Sequence, residues 1–293
     1  MQKIILYYLF TPLGDPESVL LWQKALADRL NLKGRIIIAT QGINGTLGGE
    51  INDLREYIKQ TKVYSGFSGI EFKWSDGSRE DFPRLSVKVR DELVSFKVAD
   101  QIELNAQGII GGGIKITPKK LHELVALNPN QVVFVDGRNK KEAAIGKFKN
   151  AVVMDVDHTR DFPEVIKSDS YQFLKNKKVV TYCTGGIRCE VLSKLMLDAG
   201  YKEVYQLDGG IVKYLENYGD KGLWEGSLFV FDQRMSIKAS EEVVTIGECG
   251  HCSTKTDNYV NCANKSCNEL ILLCVDCASG LTKCETCLKS VVV

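Results

Sequence analysis

The stretch Val179-Val180-Thr181-Tyr182-Cys183-Thr184-Gly185-Gly186-Ile187-Arg188-Cys189-Glu190 governs how this chain folds. Its first four residues are apolar, β-branched or aromatic, the pattern of a strand buried on both faces. The strand ends in a cysteine. Gly185 and Gly186 let the backbone curl after Cys183, with N–H groups turned inward. Thr184 and Ile187 complete the curl, and Arg188 closes it where a helix over 189–199 begins. A nest of N–H groups, a helix N-terminus and a guanidinium each favour negative charge at the Cys183 sulfur. Together they lower the thiol pKa and stabilise a thiolate or a persulfide. The plainer reading, a buried and inert cysteine, leaves the glycines and Arg188 without a role.

The flanking segments alternate in type. Strand patterns at 131–136, 151–154, 179–183 and 204–207 are separated by helical ones at 141–147, 162–175, 189–199 and 210–218. Fully apolar strands joined by helices indicate an α/β domain with a parallel sheet over 119–222. Upstream, 3–10 reads as a buried strand. Asp15, Pro16 and Glu17 open a helix, and 35–39 reads as a strand. The glycine-rich stretch 42–49 reads as a turn leading into a short strand. A helix over 52–62, capped by Asn52 or Asp53, precedes strands near 70–74 and 84–90. The order β-α-β-β-α-β resembles a ferredoxin-like or acylphosphatase-like domain over 1–100. Gly108, Gly111, Gly112, Gly113 and Pro118 mark 101–118 as a linker. Residues 223–248 read as an acidic linker, and 249–293 as a small cysteine-rich module. The fold class is therefore multidomain, combining α+β and α/β units.

Composition narrows the function classes. The chain has 293 residues, with 38 Lys+Arg against 37 Asp+Glu and a formal charge of +1. An apolar share of 44 % argues against whole-chain disorder. No run of ~18 apolar residues is present, so no membrane span or membrane partner is expected. The first residues lack a signal-peptide pattern, which points to the cytoplasm. The balanced charge gives no global basic footprint and no reason to expect DNA.

The ten cysteines are unevenly placed. None precedes Cys183. Eight follow in the pattern Cys249-x2-Cys252-x9-Cys262-x4-Cys267-x6-Cys274-x2-Cys277-x6-Cys284-x2-Cys287. Three Cys-x2-Cys knuckles in a short polar segment suit two structural zinc sites of four thiolates each. Metal would stabilise a segment too small for its own core. Interleaved pairing joins Cys249, Cys252, Cys274 and Cys277, leaving Cys262, Cys267, Cys284 and Cys287. It is preferred over sequential pairing because its first spacer has zinc-ribbon length. His251 is available as a substitute ligand but is not needed. A disulfide-linked or metal-free tail is the alternative. No organic cofactor is expected.

The loop length separates two chemistries. Cysteine-dependent phosphatases close a Cys-x5-Arg loop around phosphate, whereas Cys183 to Arg188 is Cys-x4-Arg. That length resembles rhodanese-type sulfurtransferases, whose loop holds a persulfide sulfur. The resemblance extends over roughly 116–222. It includes Val133 to Asn139 with Asp136 and Arg138, and Glu142. It also includes Ile145 to Ala151, where Lys147-Phe148 replaces the common His-Ile, and the Gly-Gly turn at Leu207 to Ile211. Asp136 and Arg138 either order the loop surroundings or form an ordinary strand-end ion pair.

Asn44-Gly45-Thr46, the loop through Cys189-Glu190, and Trp224 to Arg234 together resemble the bacterial tRNA uridine(34) hydroxylase family, across essentially the whole chain. The resemblance implies formation of 5-hydroxyuridine at the tRNA wobble position, with the anticodon loop as partner and molecular oxygen as co-substrate. It also implies Cys183 as the active-site residue. The residues leave several routes open: thiolate addition to uracil C6, handling of oxygen equivalents by a Cys183 persulfide, and resolution of oxidised Cys183 by Cys189. A packed Cys189 is the alternative for that residue. Rival readings are a sulfurtransferase using a Cys183 persulfide, and a zinc-stabilised RNA-binding protein without catalysis. RNA-contact candidates are Lys119, Lys120, Lys140, Lys141, Lys147, Lys149, Lys175, Lys177 and Lys178. Arg79, Arg84, Lys88 and Arg90 add to them in the first domain. Tyr182 and Trp224 are candidate stacking platforms, with core roles the competing expectation.

Overall fold

The computed structural model describes residues 1–267, 269–280 and 283–289. The expected module over 249–293 thus includes a few positions outside the described residues. The first unit has strands β1 (Gln2–Phe10), β2 (Lys33–Ala39), β3 (Gly42–Glu50), β4 (Glu71–Ser75) and β5 (Leu85–Val89). They form one sheet in the order β4-β1-β3-β2-β5. All pairings are antiparallel except β2 with β5. Helices α1 (Pro16–Arg29) and α2 (Ile51–Val63) cover one face. The expected β-α-β-β-α-β order is observed, with β5 added at the edge.

Alternation along β1 explains why the whole run 4–10 is apolar or aromatic. Ile5 and Tyr7 join Leu26, Ile36, Leu54 and Tyr57 in the domain's own core. Leu6, Tyr8 and Phe10 turn to the other face and pack among residues of the second domain. A strand buried by two different partners needs no polar face.

Two local readings change. Residues 42–50 are a full strand, not a turn before a short one. The glycines serve close approach within the sheet. A Cβ on Gly45 would stand 2.2 Å from the Tyr7 ring, and one on Gly48 2.6 Å from the Ser78 carbonyl. Helix α2 begins at Ile51, and Glu50 at its N-cap makes no side-chain cap. The Glu50 carboxylate instead takes the Met1 ammonium at 2.9 Å. At α1, by contrast, Asp15 caps as expected, accepting from the Ser18 N–H at 3.0 Å.

The second unit is a parallel sheet built from β6 (Ile114–Ile116), β7 (Val132–Asp136), β9 (Val152–Val153), β10 (Lys178–Tyr182) and β11 (Glu203–Leu207). Its order is β9-β7-β10-β11-β6, and every pairing is parallel. Helices α3 (Pro118–Leu127), α4 (Lys140–Ala144), α5 (Ile187–Asp198) and α6 (Gly210–Tyr218) connect it. The segment read as helical over 162–175 is broken into a short α-turn, Phe162–Val165, and a 3-10 stretch, Asp169–Asn176.

Both stretches read as linkers carry structure. Within 101–118, residues 104–105 and 108–109 pair as a small hairpin, and β6 is the sheet's edge strand. Within 223–248, β12 (Trp224–Gly226) pairs with β8 (Gly146–Phe148). There β13 (Leu228–Phe229) also pairs with β14 (Ser236–Ile237). Glycine-rich or acidic composition marks a departure from helix and strand periodicity. It does not report short pairings made with distant residues. Past them, β15 (Tyr259–Asn261) and β16 (Leu270–Leu272) form a hairpin between the cysteine knuckles. Among the described residues no helix is long and apolar enough to cross a membrane.

Candidate active site

Cys183 lies directly after the C-terminal end of β10, the middle strand of the parallel sheet. In open α/β sheets this is where ligands are bound. The thiol is fully buried. Gly186 has φ +100° and donates its N–H to the Cys183 Sγ at 3.2 Å. Helix α5 starts at the next residue. The start of α6 braces the loop from outside. Ile211 N–H donates to the Cys183 carbonyl at 2.9 Å and Val212 N–H to the Thr184 carbonyl at 3.1 Å. Gly210 permits that contact, because a Cβ there would meet the Cys183 carbonyl at 2.5 Å.

Two buried ion pairs surround the loop and have different jobs. Arg188 grips Glu142 with both guanidinium nitrogens, at 2.5 and 2.8 Å, and its Nη2 donates to Thr184 Oγ1 at 3.3 Å. Glu142 is held in turn by the capping box of α4 with Asn139. This bidentate pair presents the Arg188 charge to the loop in one fixed geometry. Asp136 and Arg138 pair with each other through bonds of 2.7 and 2.9 Å. Asp136 also accepts from Tyr182 Oη at 2.7 Å, and Arg138 donates to the Gly146 carbonyl at 2.6 Å. Asp136 and Arg138 therefore tie the end of β7 to Tyr182, the residue before Cys183, and to Gly146.

Burial pushes the Cys183 thiol up. A hydrogen bond from Cys189, the charge of Arg188 and the N–H groups of Arg188 and Cys189 outweigh it and bring the pKa below the ordinary cysteine value. Cys189 moves the opposite way, raised by burial and by its bond to Cys183. The pair thus divides into a thiolate and a protonated donor. Cys189 is buried at the helix start, close enough to Cys183 for the two thiols to shift each other's pKa.

The first domain reaches this site as well. Tyr8 from β1 donates its hydroxyl to Glu190 at 3.1 Å. Lys73 from β4 lies over the Tyr8 ring at 4.8 Å and donates to the Gly185 carbonyl at 2.7 Å. Neither was among the sequence candidates. Tyr8 had only its place on the outer face of β1 to mark it, and Lys73 had no local signal. Phe231 was quoted only within a longer motif. It is exposed and stands 5.7 Å from the Arg188 guanidinium, at the rim of the loop. Tyr182 and Trp224 are buried core aromatics and are not open platforms.

Many of the basic candidates are already engaged. Lys140 pairs with Asp155 and Asp157, Lys141 with Glu269, Lys178 with Glu203, and Arg79 with Glu80. Lys149 and Lys177 donate to carbonyls, and so does Arg90. Lys119, Lys120, Lys147, Lys175, Arg84 and Lys88 have no ion-pair partner among the described residues.

The eight C-terminal cysteines form two clusters, Cys249, Cys252, Cys274 and Cys277, and Cys262, Cys267, Cys284 and Cys287. In each, all four sulfurs lie within 4.8 Å of one another. Both clusters could chelate a metal, and the interleaved pairing is the one observed. The Cys252–Cys274 and Cys267–Cys284 sulfurs are 3.6 Å apart. That is close to the ~3.8 Å edge of a tetrahedron with ~2.3 Å metal–sulfur bonds. His251 stands outside the first cluster, its Nδ1 3.4 Å from Cys277 Sγ. The module docks on α4, where Tyr259 Oη donates to the Lys141 carbonyl at 2.6 Å. It therefore abuts the helix that carries Glu142.

The chain is similar to known proteins throughout its length. The tRNA uridine(34) hydroxylase of Corynebacterium glutamicum (strain ATCC 13032) is 56 % identical over 281 residues, covering 96 % of this chain and 90 % of its own. The chain belongs to the tRNA uridine(34) hydroxylase family. A second member, from Arthrobacter sp. (strain FB24), is 56 % identical over 283 residues, covering 96 % of this chain and 95 % of that protein. Within the family architecture, residues 2–93 match the UPF0176 acylphosphatase like domain, 117–217 the rhodanese-like domain and 225–290 the rhodanase C-terminal region. Among solved structures, the rhodanese-like domain of an Anabaena protein is 18 % identical. That match covers 38 % of this chain and 78 % of that one, with a TM-score of 0.32.

Proposed function

We propose that this protein hydroxylates uridine 34 of tRNA at C5, forming 5-hydroxyuridine in the cytoplasm, with molecular oxygen as the oxidant and the anticodon loop as the bound element. The observation carrying this reading is 56 % identity to a tRNA uridine(34) hydroxylase across 96 % of the chain. In it, Cys183 is the reacting group. Its lowered pKa supplies a thiolate at neutral pH, and addition of that sulfur to uracil C6 makes C5 electron-rich. Placing one oxygen atom at C5 converts the other to water and takes up two electrons and two protons. The reaction therefore draws on a two-electron reductant, such as two small thiols oxidised to one disulfide. Arg188 holds the negative charge at the sulfur. Asp136 and Arg138 keep the end of the sheet in shape, and Cys189 is the internal thiol donor to Cys183. The loop residues Thr184, Gly185, Gly186 and Ile187 frame the sulfur. The two four-cysteine clusters hold zinc as structural sites, which suits all-thiolate tetrahedral donor sets.

The test is nucleoside mass spectrometry of tRNA from a deletion strain complemented with wild type or with Cys183→Ser. Restoration of 5-hydroxyuridine by wild type alone is the expected result. Loss of thiolated uridine instead would support the sulfurtransferase reading, for which the Cys-x4-Arg spacing is the one favouring observation. Full restoration by Cys183→Ser would support a non-catalytic RNA-binding role.

A further inference from the structure

The 185–186 peptide links two domains. Its carbonyl, on Gly185, accepts from the Lys73 ammonium of β4 at 2.7 Å. Its N–H, on Gly186, donates to the Cys183 sulfur at 3.2 Å. In a trans peptide these two groups point to opposite sides of one rigid plane. Pulling the carbonyl outward toward Lys73 therefore aims the N–H inward at the sulfur. A cation on the carbonyl also polarises the peptide and strengthens the bond at its other end.

The N-terminal domain constrains this unit from a second side. Gly186 holds φ +100°, and a Cβ there would meet the Tyr8 hydroxyl at 3.0 Å. The Tyr8 ring in turn lies under the Lys73 ammonium at 4.8 Å. On the side away from these contacts the loop is open, since a Cβ on Gly185 would meet nothing within 4 Å. Nothing else among the described residues hydrogen-bonds the outer carbonyl, so Lys73 is the group that sets the orientation of this peptide. Glu71, Asp208 and Lys213 also face Lys73, as does Cys183 itself. Arg188, Cys189 and Tyr8 face the sulfur.

The geometry points to Lys73 as a positioning residue through which the acylphosphatase-like domain holds the Cys183 loop in its anion-binding form. The N-terminal domain is thereby part of the reactive centre, beyond any share it has in binding RNA. The inference rests on Cys183 being the reactive thiol in the proposed function, and not on the identity of the substrate.

The test is alkylation of the full-length, metal-loaded protein with iodoacetamide between about pH 5 and 9, where cysteine thiolates form. It is read by mass spectrometry of tryptic peptides. Peptide 179–188 contains Cys183 alone, so the other nine cysteines do not interfere. In Lys73→Gln, Cys183 alkylation should slow about fivefold at pH 5, the effect of a one-unit rise from a pKa of about 5, and rejoin wild type at high pH. Lys73→Met, which keeps the aliphatic stem, must shift the profile in the same direction and guards against misfolding of the first variant. Lys73→Arg should return the rate to within about threefold of wild type. Gln and Met profiles that overlay wild type would overturn the inference, as would an Arg variant that loses as much as Gln. The alkylation needs no tRNA. A missing 5-hydroxyuridine signal in wild type would therefore refute the proposed reaction while leaving this result standing.

Discussion

Cys183 and the eight C-terminal cysteines carry the same side chain in opposite settings. Cys183 is one sulfur in a cage assembled from the contiguous end of β10 and start of α5 and from three distant places: Glu142 on α4, Gly210 on α6, and Lys73 with Tyr8 from the first domain. Six of the C-terminal sulfurs sit in Cys-x2-Cys knuckles and the other two, Cys262 and Cys267, have four residues between them; they join in two groups of four around one short hairpin. The first setting stabilises a single negative charge by converging dipoles and one guanidinium. The second places four sulfurs within 4.8 Å of one another, an arrangement that could chelate a metal. A thiolate needs fixed surroundings that favour one negative charge, whereas a structural metal site needs several sulfurs with little else.

Four experiments probe this contrast, beginning with the largest expected effect. Cys183→Ser should reduce 5-hydroxyuridine in complemented cells to background while the protein stays folded and metal-loaded. Removing a single C-terminal cysteine should instead lower soluble yield and metal content. Similar outcomes for both kinds of variant would erase the distinction.

Breaking the cage comes next. Glu142→Ala leaves Arg188 buried without its partner and should cost about 3–5 kcal/mol in denaturant unfolding. The double variant Glu142→Ala with Arg188→Leu should recover part of that stability yet remain inactive. A single variant as stable as wild type would show that the pair does not hold the loop.

Removal of metal by a chelator should act on the other region. Hydrogen exchange should rise sharply across the peptides holding Cys249 to Cys287 and less at α4, against which they pack. Strands of the first domain should keep their protection. Metal analysis should find about two zinc ions per chain, one for each four-thiolate site.

The smallest effect concerns Cys189→Ala. It removes a hydrogen-bond donor to Cys183, so the Cys183 pKa should rise. A thiolate exists above its pKa, so the deficit in Cys183 alkylation should widen as pH falls and vanish in alkali. A shift of one unit corresponds to about tenfold at the acid end. Loss of 5-hydroxyuridine formation with an unchanged alkylation profile would instead indicate a resolving role in turnover.

The reactive loop was legible because its parts are contiguous: strand, cysteine, two glycines, arginine and helix follow one another within twelve residues. The metal clusters were legible for a similar reason, since knuckle spacing constrains which sulfurs can meet. Glu142 could be marked but not connected, because its bond to Arg188 spans 46 residues. Lys73 is 112 residues from Gly185 and lies in the strand Glu71-Phe72-Lys73-Trp74-Ser75, where a lysine ordinarily faces solvent. The glycines of β3 misled for the opposite reason. A glycine admitted for close packing and one admitted for a turn look alike in a sequence.

By itself the sequence determined the parallel sheet, the Cys-x4-Arg loop that carries Cys183 and a preference for the interleaved grouping of the other eight cysteines. These depend on periodicity and short spacings, which the chain carries locally. Tertiary structure alone decided what surrounds Cys183. It buried Tyr182 and Trp224, put Phe231 at the rim, set Cys189 beside Cys183 and brought the first domain onto the loop. Such contacts arise where two surfaces meet, and no segment encodes the face of its partner.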